Sequence, residues 1–179
     1  MLLFADSFDS YVTAELGDTY ELGSQAPFVF IEAANGRFGT SCLRNNGGGL
    51  FVGKKLDPAK STFVMGAAFM ALSAFGFGTT VIFRLRRSKT LDTTNICQLV
   101  LNENQTLSVQ RGAGTATLGT STVVLRSDVY YYIEFKVTIS TTAGSYEVRV
   151  NEETVLSGSS VNTDGEGGGL ANGLILLGN

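Results

Sequence analysis

Apolar and polar residues alternate with a period of two along most of this 179-residue chain, and this pattern constrains the fold more than any other feature. It is clearest over residues 129–139 (VYYYIEFKVTI), where the odd-numbered positions are the apolar ones. Successive side chains of a strand point to opposite faces, so the segment predicts an antiparallel strand with one buried and one solvated face. The outward positions would be Tyr130, Tyr132, Glu134, Lys136 and Thr138.

Three further segments also have the pattern of strands. Residues 80–87 (TVIFRLRR) repeat the alternation and place Arg84 and Arg86 on a solvated face. Residues 145–150 (SYEVRV) place the tyrosine and both valines inward. Residues 61–72 (STFVMGAAFMAL) are apolar on both faces, which predicts a strand in the middle of a sheet that a second layer covers.

Short turns rich in Gly, Asn and Glu separate these strands. Hairpin turns are expected at residues 103–105, 141–145 and 151–153. The spacing gives about a dozen strands, and no strand–helix alternation accompanies them. The sequence therefore predicts an all-β fold of two antiparallel sheets packed face to face, in a single domain spanning residues 1–179.

The composition argues against several classes of function. The sequence contains neither His nor Trp, so it lacks the usual general base, the commonest metal ligand and the best side chain for stacking on sugars. We therefore expect no catalysis and no cofactor. The formal net charge of -3 and the pI near 4.9 argue against nucleic acid or an anionic membrane as a partner.

Charge is segregated along the chain. Residues 1–36 hold six acidic residues, among them Asp6 and Asp9, and no Lys or Arg. Residues 37–91 hold nine basic residues and one acidic residue, Asp57. We expect this acidic N-terminal arm, which includes the first strands, to pair with the basic segment, either within one chain or between neighbours in a symmetric assembly.

Both cysteines, Cys42 and Cys97, lie in apolar strand-like segments, where a free thiol behaves as a small hydrophobic side chain. We expect them to be buried and reduced, although a disulfide between neighbouring strands stays open. The start MLLFADSFD lacks the basic region of a secretory signal, and the longest apolar run, residues 63–72, is too short to span a bilayer. We expect synthesis in a cytoplasm and no membrane partner.

The strand order carries a resemblance to a known family. Residues 148–155 (VRVNEETV) fit a hairpin pattern of two alternating valines, an Asn and a further valine, and paired strands precede them at residues 95–111. Over nearly its whole length the chain resembles the concanavalin A-like and laminin-G-like jelly rolls. The resemblance implies a two-sheet antiparallel jelly-roll sandwich.

The opening segment LLFADSFDSY is similar to the start of short virion proteins of tailed bacteriophages that use this fold, through Asp6, Phe8, Asp9 and Tyr11. This resemblance implies a non-enzymatic virion structural protein made in the bacterial host cytoplasm. Within the particle it implies a capsid decoration protein. Its expected partner is the major capsid protein or another virion protein, and a trimer is the favoured homo-oligomer.

A carbohydrate-binding module of a phage tail, baseplate or fibre is the alternative. Tyr130 and Tyr132 could stack on a sugar or on a neighbouring subunit, or form ordinary cross-strand aromatic pairs. A glycoside hydrolase is the second alternative, and the sequence argues against it because the family's E-x-D-x-x-E strand is missing. Glu152 and Glu153 are adjacent, so an extended backbone would point them to opposite sides.

The segment NTDGEGGG offers oxygen ligands at alternate positions, and Asn162, Asp164 and Glu166 are candidates for a calcium site. An Asp/Gly turn in a loop has the same sequence pattern. Phe75 and Phe77 alternate with glycine, and they would either anchor a partner or pack under a turn.

Arg84, Arg86 and Arg87 would form either a solvated strand face or one side of a charged interface with the acidic arm. The C-terminal segment, residues 170–179, stops where family members continue into one more strand. We expect the outermost sheet edge to be left bare or completed by a neighbouring chain.

Overall fold

The computed structural model describes residues 20–22, 29–45, 52–72, 78–87, 94–114, 116–165 and 167–178, which contain thirteen strands and a 3₁₀ turn at Arg37–Gly39. In chain order the strands are β1 (Glu21–Leu22), β2 (Val29–Glu32), β3 (Cys42–Asn45), β4 (Val52–Lys60), β5 (Thr62–Phe69), β6 (Thr80–Arg86), β7 (Asn95–Leu101), β8 (Thr106–Arg111), β9 (Ala116–Val124), β10 (Tyr131–Thr138), β11 (Gly144–Val150), β12 (Glu153–Val161) and β13 (Ala171–Gly178). Within these ranges no helix is long and apolar enough to cross a membrane.

The strands form two main antiparallel sheets and a small hairpin. The larger sheet has seven strands in the order β1-β4-β13-β6-β7-β8-β9, and the smaller has four in the order β12-β11-β10-β5. Strands β2 and β3 pair separately. The predicted all-β fold of two antiparallel sheets is confirmed.

The core lies between the two main sheets. Strand β10 contributes Ile133, Phe135 and Val137, which are completely buried, and the larger sheet contributes Leu85 and Leu99 to the same cluster. The inward faces predicted for residues 129–139 and 145–150 are therefore confirmed over the strands themselves. The prediction was wrong at Val129, which is exposed because β10 begins only at residue 131.

Strand β5 was expected in the middle of a sheet, but it lies at an edge, paired only with β10. Its burial alternates, and Val64 on the outer face is 67% exposed. The second apolar face was misread because it consists largely of small residues. One of them, Gly66, leaves room for the ring of Tyr132, whose hydroxyl would lie 2.6 Å from a Cβ at residue 66.

The C-terminal segment was expected next to an open edge, but β13 lies inside the larger sheet, paired with β4 on one side and β6 on the other. Its pairing could not be predicted from local sequence, because both partners are distant along the chain. The three predicted hairpins are confirmed, joining β7 to β8, β10 to β11 and β11 to β12. Asn151 and Glu152 turn the last one with φ values of 49° and 74°.

Most of the acidic arm, including Asp6 and Asp9, lies outside the described residues. One charge pair joins its described part to the basic segment. Arg44 Nη1 donates to Glu32 at 2.7 Å, and both side chains are partly buried. This contact agrees with pairing inside one chain at this position.

Both cysteines are free thiols. Cys97 is buried in the core, as predicted, and burial raises its pKa to about 12. Cys42 in β3 is only partly buried, so that half of the prediction was too strong. The raised pKa of Cys97 keeps it protonated and unreactive near neutral pH.

Two valines on neighbouring strands test the assignment of faces. Val137→Ala should lower the free energy of unfolding by about 2 kcal/mol, because it opens a cavity between the sheets. Val64→Ala, the matched control on β5, should change it by less than about 0.5 kcal/mol. Chemical denaturation measures both values, and equal losses would contradict the two-sheet packing.

Candidate binding face of the seven-stranded sheet

Strands β6 and β7 are buried on both faces. On β6, Phe83 and Leu85 point into the core. Arg84 and Arg86 alternate with them, so they point to the other face of the larger sheet. Both arginines are only 8% exposed. The predicted solvated strand face is therefore wrong, because the alternation identifies the face on which a side chain lies but does not report what covers it.

A chain of hydrogen bonds crosses three strands on this second face. Arg84 Nε donates to Gln98 Oε1 at 2.7 Å, and Gln98 Nε2 donates to Gln110 Oε1, also at 2.7 Å. The register aligns Arg84 with Gln98, and Gln98 with Gln110, so the three side chains form one line. We call Arg84, Gln98 and Gln110 the polar row.

Further polar side chains flank the polar row on both sides. Arg86 Nε donates to Asn95 Oδ1 at 2.8 Å, in the next aligned position along β6 and β7. On the other side, the Ser108 and Thr120 hydroxyls lie 2.8 Å apart, and Asn102 Nδ2 donates to Ser108 at 2.7 Å. Polar side chains therefore lie on the second face of the sheet in four strands, β6 to β9, beside the buried apolar residues Val100 and Ile175.

The electrostatics of the polar row are dominated by Arg84. Burial and, secondarily, the charge of Arg86 lower the pKa of its guanidinium to about 10. Among the described residues no carboxylate contacts Arg84, and its two terminal nitrogens have no hydrogen-bond partner. Among the described residues, Gln105 Oε1 is the one fully buried side-chain polar atom without a hydrogen-bond partner. The terminal nitrogens of Arg84 also lack a partner, so neither of them is fully buried.

Two of the three candidate calcium ligands, Asn162 and Asp164, form hydrogen bonds within a loop. Asp164 is buried, and its two carboxylate oxygens accept hydrogen bonds from the backbone N–H groups of residues 167, 168 and 169 and from Arg87 Nη2. The side chain of Asn162 accepts the N–H of Asp164. This arrangement does not favour a metal site, because both oxygens of Asp164 face N–H donors, and Glu166 lies outside the described residues.

We call residues 162–165 and 167–170 the Asp164 loop, and it lies at the end of the polar face. Gly165 and Gly112 both donate their N–H groups to the carbonyl of Ile96, next to Asn95. The turn after β8 also comes close to the polar row. A Cβ at Gly114, where φ is +90°, would lie 3.2 Å from Gln110 Oε1.

The structure describes two of the remaining predicted contact residues, Tyr130 and Tyr132. Tyr130 precedes β10, and its hydroxyl donates to the carbonyl of Asn35 at 2.6 Å, so it holds the β2–β3 connection in place. Tyr132 lies on the outer face of the four-stranded sheet and is 37% exposed. The Tyr130 hydroxyl is therefore engaged within the chain, whereas the Tyr132 side chain faces solvent. Phe75 and Phe77 lie outside the described residues.

A depression of about 130 Å³ lies on the outer face of the four-stranded sheet, lined by Val64, Glu134, Lys136, Glu147 and Arg149. Its charged side chains already face each other across β10 and β11, since Glu134 pairs with Arg149 and Lys136 with Glu147 in the register. The polar row is the better candidate site, because Arg84 offers unused donors.

Sequence reasoning missed Gln98 and Gln110. The available signal was a glutamine inside the apolar strand ICQLVL and a second one in TLSVQR, at positions that the hairpin register sets side by side. An isolated polar residue in an apolar strand requires a partner when it is buried. Pairing such residues across a predicted hairpin would have located two-thirds of the polar row.

No protein-family model matches the chain, and no curated protein does either. Solved structures do resemble it. The endo-β-1,4-glucuronan lyase from the fungus Trichoderma reesei has a TM-score of 0.61 at 13% identity, covering 90% of this chain and 79% of that chain. The alginate lyase Aly36B has a TM-score of 0.54 at 11% identity, covering 93% and 80%. The fold is a jelly-roll β-sandwich.

This jelly roll also resembles the carbohydrate-binding module CBM66 from Bacillus subtilis, with a TM-score of 0.48 at 11% identity over 83% of this chain and 92% of that chain. The two-sheet jelly-roll sandwich expected from the sequence agrees with the two lyase structures. Neither lyase is named as a virion protein. At such identities the likeness to the two lyases establishes the fold.

The Asp164 loop makes a testable contribution to stability. Asp164→Asn should lower the free energy of unfolding by about 2 kcal/mol, because it removes the charge that three backbone N–H groups and Arg87 share. Glu147→Gln removes an acid from the exposed pair with Arg149 and should leave the unfolding midpoint unchanged. Thermal denaturation compares the two variants.

The same experiment separates this account from a calcium site. Wild-type protein should unfold at the same temperature with millimolar calcium and with EDTA. A midpoint that rises with calcium in wild-type protein and not in Asp164→Asn would contradict the assignment of Asp164 to the loop alone.

Proposed function

We propose that this chain is a carbohydrate-binding domain and that the polar row is its binding site. One observation carries the proposal: a guanidinium and two side-chain amides form a continuous hydrogen-bonded line on a face where apolar side chains would pack at lower cost. Amide and guanidinium groups hold fixed donors and acceptors that suit sugar hydroxyls. The network positions these groups before any ligand arrives.

The similar structures support this proposal over a virion role. The two with the higher TM-scores are named as lyases of glucuronan and alginate, and both of these are polysaccharides. The alternative function expected from the sequence, carbohydrate binding, therefore has more support than capsid decoration. Location in a virion, contact with a capsid protein and a trimeric state stay predictions.

We favour binding over catalysis. Within the described ranges, no carboxylate or tyrosine hydroxyl hydrogen-bonds to the polar row, and the whole sequence has no His. A bond-breaking site needs a group that takes or gives a proton at the reacting atoms. Amides and an arginine bind and orient a ligand, but near neutral pH they do not serve as that group.

Glycan binding by variants of the polar row tests the proposal. Gln98→Leu and Gln110→Leu keep the approximate side-chain volume and remove hydrogen-bonding groups, so each should weaken binding about tenfold or more. Tyr132→Ala, on the opposite side of the molecule, is the control and should bind normally. Affinity electrophoresis against soluble neutral and acidic polysaccharides measures the change, and thermal unfolding verifies that each variant is folded.

The opposite result for these variants would assign the binding site to the other sheet. If Tyr132→Ala loses binding while both glutamine variants keep it, the outer face of the four-stranded sheet is the binding surface. If wild-type protein binds no polysaccharide in the panel, carbohydrate binding is wrong.

A further inference from the structure

Arg84 is buried, yet it keeps unused hydrogen-bond donors. Its side chain is almost entirely buried, and its Nε–H is taken by Gln98. Its two terminal nitrogens have no partner among the described residues, and they are not fully enclosed. The guanidinium therefore presents its outer edge, with two parallel N–H donors, to whatever occupies the space above the sheet.

The charge around this edge is positive. Arg86 lies two residues along the same strand and on the same face, and the described residues place no carboxylate in contact with Arg84. A buried cation without a counter-charge lowers the stability of the folded protein, and a second cation nearby adds to the cost. The exposed Arg149, by contrast, is paired with Glu147.

We propose that the glycan bound by the polar row is acidic, and that the terminal nitrogens of Arg84 bind its carboxylate; this inference rests on the proposed function. A carboxylate is planar and has two oxygens at the spacing of the two N–H donors, so it forms a bidentate pair with this edge. Gln98 fixes the plane of the guanidinium through Nε. The ligand supplies the counter-charge that no described residue gives to Arg84.

The ligand class is therefore a polysaccharide of uronic acids. A sulfate ester would also bring negative charge and can likewise offer two oxygens to a guanidinium, so a sulfated polymer is the competing ligand to compare. Neutral glycans would reach the amides of the polar row and leave Arg84 without a partner.

Polymers that differ only in charge give a direct test. Polygalacturonate, polyglucuronate and alginate are each compared with their methyl esters, which keep the sugar chain and remove the carboxylate charge. Wild-type protein should bind at least one of the acidic polymers and lose at least tenfold in affinity for its ester. Arg84→Gln should lose at least tenfold for the acidic polymer and bind the ester as wild-type protein does.

Two further variants control for charge and geometry. Arg126→Gln makes the same charge change at an exposed arginine outside the polar row and should bind normally. Arg84→Lys keeps the charge but not the flat pair of donors, so it should recover only part of the affinity. Without ligand, Arg84→Gln should unfold at or above the wild-type temperature, because it removes an uncompensated buried charge. If Arg84 had only a structural role, Arg84→Gln would instead unfold at a lower temperature than wild-type protein. The folded variant would then bind with unchanged affinity.

The outcomes separate this inference from the proposed function. Equal binding of acid and ester, or unchanged binding in Arg84→Gln, overturns the acidic-ligand inference and leaves carbohydrate binding standing. Binding of a sulfated polymer such as dextran sulfate in preference to all three uronates also overturns it. Binding of neither neutral nor acidic polymers removes both proposals.

Discussion

The hydrogen bond from Arg84 Nε to Gln98 Oε1 joins two inner strands at the centre of the seven-stranded sheet, where a polar side chain must find a partner within the protein. Both strands that carry it are buried on two sides. The core side of β6 is filled by Phe83 and Leu85, and alternation then forces Arg84 onto the other side, where water cannot fully solvate it. Gln98, Gln110 and Asn95 provide hydrogen-bond partners for polar groups on this buried face, which would otherwise lack them.

The surroundings of the polar row restrict its position. Strand β13 pairs with β6 and places Ile175 beside Arg84, and a Cβ at Gly114 would lie 3.2 Å from Gln110 Oε1. At the far end, Arg87 follows β6 and binds Asp164, so the Asp164 loop is held to the strand that carries both buried arginines. A ligand at this face would meet groups whose positions are already set.

Sequence reasoning recovered the parts of the fold that depend on local pattern. The inward faces of β10 and β11 followed from alternation, and the hairpin at Asn151 followed from its turn residues. The central position of β13 did not, because pairing with distant strands leaves no local signal. Gly66 on β5 was counted as a buried apolar position, although its lack of a side chain accommodates Tyr132 instead.

The candidate site was harder to predict for the same kind of reason. Alternation correctly placed Arg84 and Phe83 on opposite faces of the sheet. It does not show whether the face that carries Arg84 is buried or exposed to solvent. Asn162 and Asp164 have the spacing of calcium ligands, and it is also the spacing of a loop that folds its N–H groups around a carboxylate. Only the direction of those N–H groups distinguishes the two.

The central claim, that the polar row binds the ligand, is tested most directly by side-chain nitrogen NMR of the isotope-labelled protein during titration with the polysaccharide fragment that it binds most tightly. We expect the amide signals of Gln98 and Gln110 and the Nε signal of Arg84 to shift together and saturate with the same affinity. Backbone signals on the outer face of the four-stranded sheet, around Tyr132 and Lys136, should stay unchanged. Saturating shifts around Tyr132 with no change at Gln98 or Arg84 would contradict the account.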